Sequence, residues 1–140
     1  MKCYFYGSTT LTGNGIISFV IPDYGISFKT VWKDDVTECQ FLGLLSLLRF
    51  IEINEDVFQG EKFEVYSDSI KVINQVKKIQ PAESYYSSFI DSVRGFRKII
   101  EFSLDWIPLL ENKAFTGINN YPPNYKLSEH EFKLFDGIME

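Results

Sequence analysis

The alternation of apolar and polar positions changes period several times along this chain, and each change predicts an element boundary. Residues 2–6 alternate around aromatic side chains and predict a strand. The turn formers Gly7-Ser8-Thr9-Thr10-Leu11-Thr12-Gly13-Asn14-Gly15 are expected to end it. Residues 16–21 are β-branched and aromatic, a second strand stopped by Pro22-Asp23-Tyr24-Gly25. So short a connection fits an antiparallel hairpin. In residues 26–32, Ile26, Phe28, Thr30 and Trp32 share one face of a third strand.

The period then lengthens. Lys33-Asp34-Asp35 ends the β region, and either aspartate can cap a helix. Residues 36–53 set Phe41, Leu44, Leu45, Leu48 and Ile51 on one face, and Leu42, Leu47 and Phe50 widen it. That breadth predicts a helix covered around much of its circumference. Residues 62–67 read as a fourth strand closed by Asp68-Ser69, which can start a helix through Lys78. After a break at Pro81, residues 83–96 repeat Tyr86, Phe89, Ile90 and Val93 at helical steps. Residues 99–106 read as a fifth strand ended by Pro108. The order β-β-β-α-β-α-α-β predicts an α/β fold: a five-stranded mixed sheet, three strands antiparallel and the rest joined by crossovers, flanked by helices. Residues 119–140 begin as an Asn- and Pro-rich linker that follows Gly117. They then offer an amphipathic helix over 128–139, with Ser128 and Glu131 as a capping box.

Composition supports a folded chain. Its 140 residues suit one domain, and 13 Phe, 8 Tyr and 2 Trp supply apolar area that a disordered chain lacks. No uncharged apolar run reaches the roughly 20 residues of a membrane span, and the N-terminus lacks the pattern of a signal peptide. A cytoplasmic protein with no membrane partner is expected. Cys3 and Cys39 belong to no metal-ligand spacing and are expected as buried thiols. The net charge of -5 argues against a broad basic face for nucleic acid. Between residues 70 and 112, however, basic residues slightly outnumber acids.

Two acids occupy positions suited to metal chemistry. Glu38 falls in the first turn of the long helix, and Asp68 follows the fourth strand, at the end where α/β sheets form ligand crevices. Two-ion phosphodiester hydrolysis needs several convergent carboxylates, because hard divalent cations prefer oxygen. Either residue also has a purely structural use: acids favour helix N-termini, and Asp68 can cap the next helix.

The element order, Gly7-Ser8 with Gly13-Asn14-Gly15, Glu38 heading an apolar helix, Tyr66-Ser67-Asp68-Ser69, and Trp106-Ile107-Pro108 followed by Glu111-Asn112-Lys113-Ala114 together resemble type 1 ribonuclease H. The likeness spans residues 1–118. It implies a ribonuclease H-like domain in which four acids around two Mg²⁺ ions cut the RNA strand of an RNA–DNA hybrid. Glu38 and Asp68 match the helix and strand-end acids. Tyr6, in Tyr6-Gly7-Ser8, stands where the family's first-strand acid belongs, and Thr116 stands where its last acid belongs. No histidine lies in residues 106–111, where the family's loop histidine would fall, and His130 is expected on the surface of the tail. A phenol is neutral near pH 7 and replaces an anionic ligand poorly. No acid lies between Met1 and Ile21 to compensate; Asp105 is the nearest substitute.

The expectation is a catalytically inactive module that binds nucleic acid or a protein partner. No cofactor is required; Glu38 and Asp68 would form at most a vestigial Mg²⁺ or Mn²⁺ site. The alternative is a metal-dependent ribonuclease H with a rearranged carboxylate site. An RNA–DNA hybrid or double-stranded RNA would meet Ser8, Asn14, Lys71, Lys77, Lys78 and Asn112. A protein partner or a second copy would meet Tyr85-Tyr86 and Tyr121-Pro122-Pro123-Asn124-Tyr125. A scaffold encoded by a mobile element or bacteriophage is a third reading.

Overall fold

The structure, a computed structural model, describes residues 1–9, 13–33, 35–78 and 84–117. Strands β1 (Lys2–Thr9), β2 (Gly15–Ile21) and β3 (Ile26–Trp32) come first, followed by helix α1 (Val36–Ile53). Then come β4 (Phe63–Ser67), α2 (Ile70–Val76), α3 (Ser87–Phe96), β5 (Phe102–Trp106) and the short α4 (Lys113–Thr116). The five-stranded sheet has the order β3-β2-β1-β4-β5. β1, β2 and β3 pair antiparallel, while β4 pairs parallel to both β1 and β5. This is the mixed sheet expected from the sequence.

Strand alternation divides the sheet into two faces. Cys3, Phe5, Ile17, Phe19, Val65 and Leu104 face α1 and belong to the main core. The breadth of the apolar stripe on α1 has its counterpart here: Phe41, Leu42, Leu44, Leu45, Leu47, Leu48, Phe50 and Ile51 are all buried. α1 lies on β1 and β2 on one side and meets α2 and α3 on the other. The opposite sheet face carries a smaller cluster, Tyr4, Val20 and Ala114, with Tyr6 and Tyr66 packed beside it. α4 covers that face, so the site-bearing strand β1 is sandwiched between α1 and α4.

Two boundaries differ from the pattern in the sequence. The turn expected from Gly7 onward begins later, since β1 pairs with β2 through Thr9. Gly7 is there for proximity rather than for a turn. A Cβ at Gly7 would lie 2.3 Å from the Gln40 nitrogen and 2.4 Å from the Cys39 carbonyl carbon, both backbone atoms of α1. The first turns of α1 therefore rest directly on β1. The fifth strand begins at Phe102 because Ile99 and Ile100 both donate back to the Phe96 carbonyl, at 3.0 and 2.8 Å, and finish α3 instead. Asp34, Pro81, Glu83, His130, the Tyr121–Tyr125 motif and the helix expected over 128–139 lie outside the described residues. Among the described residues, no helix is long and apolar enough to cross a membrane.

Candidate functional site

Asp68 stands just past the end of β4, where β4 and β1 cease to pair. The buried backbone carbonyl of Phe5 accepts from the Ser67 hydroxyl and from the Asn112 side-chain amide, each at 2.8 Å. The second hydrogen of the same Asn112 nitrogen reaches Asp68 Oδ1 at 2.7 Å. Asn112 Oδ1 accepts the Ala114 backbone N–H at 3.0 Å and caps α4. Asn112 is thus fully buried with its amide engaged on both ends, tying β1, the β4 terminus and α4 together. Below it, Ser69 N–H donates to Ser67 Oγ at 3.3 Å. Asp68 is only half-buried.

Glu38 is held differently. Asp35, the N-cap of α1, accepts the Glu38 N–H at 3.0 Å and so fixes the first helical turn. The Glu38 side chain is 7% exposed. Its Oε1 accepts from the Trp32 indole N–H at 3.1 Å and lies 3.3 Å from the Lys33 ammonium. Its Oε2 is buried and has no hydrogen-bond partner among the described residues. The hydrogen bond to Glu38, followed by the attraction of its charge, raises the Lys33 pKa above its ordinary value.

The other positions singled out from the sequence have partners and exposures of their own. Tyr6, half-buried on the α4 face of β1, packs its ring against Phe115 with centroids 5.1 Å apart. Thr116 is exposed at the end of α4, its N–H donating to the Asn112 carbonyl at 2.9 Å. Ser8 is half-buried on β1, and Asn14 is exposed. Lys71 sits 5.7 Å from the Tyr86 ring centroid on a half-buried stretch of α2. Lys77 pairs with Asp105 at 3.3 Å, which engages the acid proposed as a substitute ligand. Lys78 is exposed with a left-handed φ of 63°, ending α2. Sequence reasoning missed Lys33 and Phe115; the proximity of Lys33 to a helix-heading acid was the only local signal for either. A cavity of about 400 Å³ opens at the other end of the sheet, lined by Ile51, Glu52, Phe58, Phe63 and Glu101, away from both Glu38 and Asp68.

This donor set does not fit a two-ion magnesium centre. Tyr6 turns its ring onto Phe115, Oε1 of Glu38 is occupied by an ammonium and an indole, and Oδ1 of Asp68 is occupied by an amide. Among the described residues no three His, Cys, Asp or Glu side chains converge as a metal-holding group.

No family model matches the chain, and no curated protein matches it. Solved structures do. Ribonuclease H1 from the halophilic archaeon Halobacterium salinarum is 14% identical, with 81% of this chain and 89% of that chain covered at a TM-score of 0.67. LC11 ribonuclease H1 in complex with an RNA/DNA hybrid is 15% identical over 79% of this chain and 87% of its own, at 0.70. The N-terminal ribonuclease H domain of a Mycobacterium tuberculosis protein is 13% identical over 85% and 96%, at 0.65. The class defined by these likenesses is one of fold: this chain has the ribonuclease H-like fold. At such identities the likeness reaches no further than the arrangement of strands and helices.

Proposed function

We propose that this chain is a non-cleaving relative of type 1 ribonuclease H that binds a nucleic-acid duplex, an RNA–DNA hybrid or double-stranded RNA. The observation that carries the loss of cleavage is the Tyr6–Phe115 ring pair at the β1 position where the family resemblance expects an acid. Aromatic packing there favours a neutral, apolar filling over a hydrated ion. The duplex is supported by Lys71, Lys77 and Lys78 on and just after α2, which starts beside Asp68, and by the hybrid bound to LC11 ribonuclease H1. The net charge of -5 implies weak binding that fades as salt rises.

A protein partner is the second reading, and one surface favours it. Trp106 is 50% exposed, and Leu109 and Leu110 are 39% and 80% exposed, in one short segment leaving the edge strand β5. Aromatic and aliphatic exposure of this kind marks interaction surfaces.

The test uses a labelled hybrid with Mg²⁺ or Mn²⁺. The expected outcome is an intact RNA strand and binding that weakens with salt. Turnover lost in Glu38→Ala or Asp68→Ala would overturn the non-cleaving reading. Absence of binding even at low salt would leave the protein-partner reading in its place.

A further inference from the structure

We infer that Lys33 is the resident cation of Glu38, its ammonium standing beside this carboxylate where a metal-dependent phosphodiesterase would place a divalent ion. The mismatch between the donor set and a two-ion centre is then a replacement of charge as well as a loss of ligands.

The geometry of the β3–α1 junction supports this from both sides. Glu38 is immobilised by the Asp35 cap and buried, so its ionised form needs positive charge close by. Lys33 supplies that charge from a fixed backbone. Its carbonyl accepts the Asp35 N–H at 2.9 Å and the Cys39 thiol at 3.7 Å. The same carbonyl lies so near Gly15 that a Cβ there would stand 2.4 Å away. The side chain therefore leaves from a braced position, and its ammonium ends 3.3 Å from Glu38 Oε1 and 5.8 Å from the Trp32 ring centroid. The Trp32 indole shares that oxygen. What is left for an ion is Oε2, which is closed off from solvent. A hydrated divalent ion needs several oxygen ligands, and with the ammonium in place Glu38 offers none that is both open and unengaged. A lysine needs one.

The inference is independent of the duplex reading, because it is tested on the free protein with the metal alone. Binding of MnCl₂ to the whole chain is followed by electron paramagnetic resonance, with thermal unfolding as a second readout. The wild-type protein and Lys33→Arg are expected to show no stoichiometric Mn²⁺ site. Lys33→Met, which removes the ammonium and leaves Oε1 with the Trp32 indole N–H alone, is expected to bind one Mn²⁺ about tenfold or more tighter than wild type. Adding Glu38→Gln to Lys33→Met should abolish that gain. If Lys33→Met does not fold, Lys33→Gln is read in the same way. Stoichiometric Mn²⁺ on the wild-type protein that Glu38→Gln removes would overturn the inference. So would a folded Lys33→Met or Lys33→Gln protein with no gain in Mn²⁺ affinity.

Discussion

Glu38 and Asp68 occupy two corners of the fold, one at the start of α1 and one just past the end of β4, and their surroundings engage them in different ways. Glu38 is buried, and its compensation is ionic: an ammonium from a side chain that is itself 61% exposed. Asp68 is half-buried, and its compensation is a neutral amide, Asn112, with no exposed atom. The first arrangement depends on a charge that reaches in from solvent, where salt screens it. The second depends on a closed hydrogen-bond network that salt barely touches. To share metal ions, both acids would have to turn open oxygens toward a common position. Their difference shows that each has been absorbed into the local architecture on its own terms.

The comparison breaks most violently at Gly7, which seats the Glu38 corner on the sheet. Gly7→Ala would drive a Cβ to within 2.3 Å of α1 backbone, and neither a helix nor a central strand can give way cheaply. We expect a loss of about 4 kcal/mol or more, or failure to fold, measured by urea denaturation. A cost below about 1 kcal/mol would mean that α1 lifts freely from β1, and that Glu38 is not held where the structure puts it.

At the other corner the sharpest test is Asn112→Ala. It removes one donor to the Phe5 carbonyl, the donor to Asp68 and the cap of α4 in one change. Loss of buried hydrogen bonds together with a cap predicts about 2–4 kcal/mol of destabilisation. The cost should be the same at low and high salt. A cost that shrinks with salt would show that the Asp68 corner is electrostatic after all, and would erase the distinction from Glu38.

Much of this was legible in the chain itself. Helix α1 could be read from its period and from an aspartate cap at Asp34 or Asp35, because a stripe that broad has few other uses. The two acids could be placed, one heading a helix and one ending a strand, because local pattern fixes both positions. What escaped was whatever depends on contact between distant segments. Asn112 looked like a surface contact for nucleic acid, and its reach to Phe5, 107 residues away, has no local signature. Gly7 looked like a turn because glycine usually is one; the helix pressing on it comes from Cys39 and Gln40. Phe115 gave no hint of its partner, Tyr6. Lys33 was close enough in sequence to Glu38 to be suspected, but only the bend from β3 into α1 turns it toward the carboxylate.

The smallest effect is expected at Lys77, which belongs to neither corner and therefore serves as their control. Its ammonium lies 3.3 Å from Asp105, with both side chains substantially exposed, 38% and 53%. Exposed pairs of this kind contribute little, because water screens the attraction and holding two mobile side chains costs entropy. Lys77→Ala should therefore change stability by no more than about 0.5 kcal/mol. Its consequence belongs to binding. If duplex phosphates lie along α2, removing one contacting charge lowers the slope of log affinity against log salt by about one. The freed Asp105 would add repulsion in the same direction. An unchanged slope, beside a Lys71→Ala variant that does change it, would confine the duplex to the side of α2 nearer Asp68. An unchanged slope in both would remove α2 from the interface and turn attention to the apolar segment of Trp106, Leu109 and Leu110.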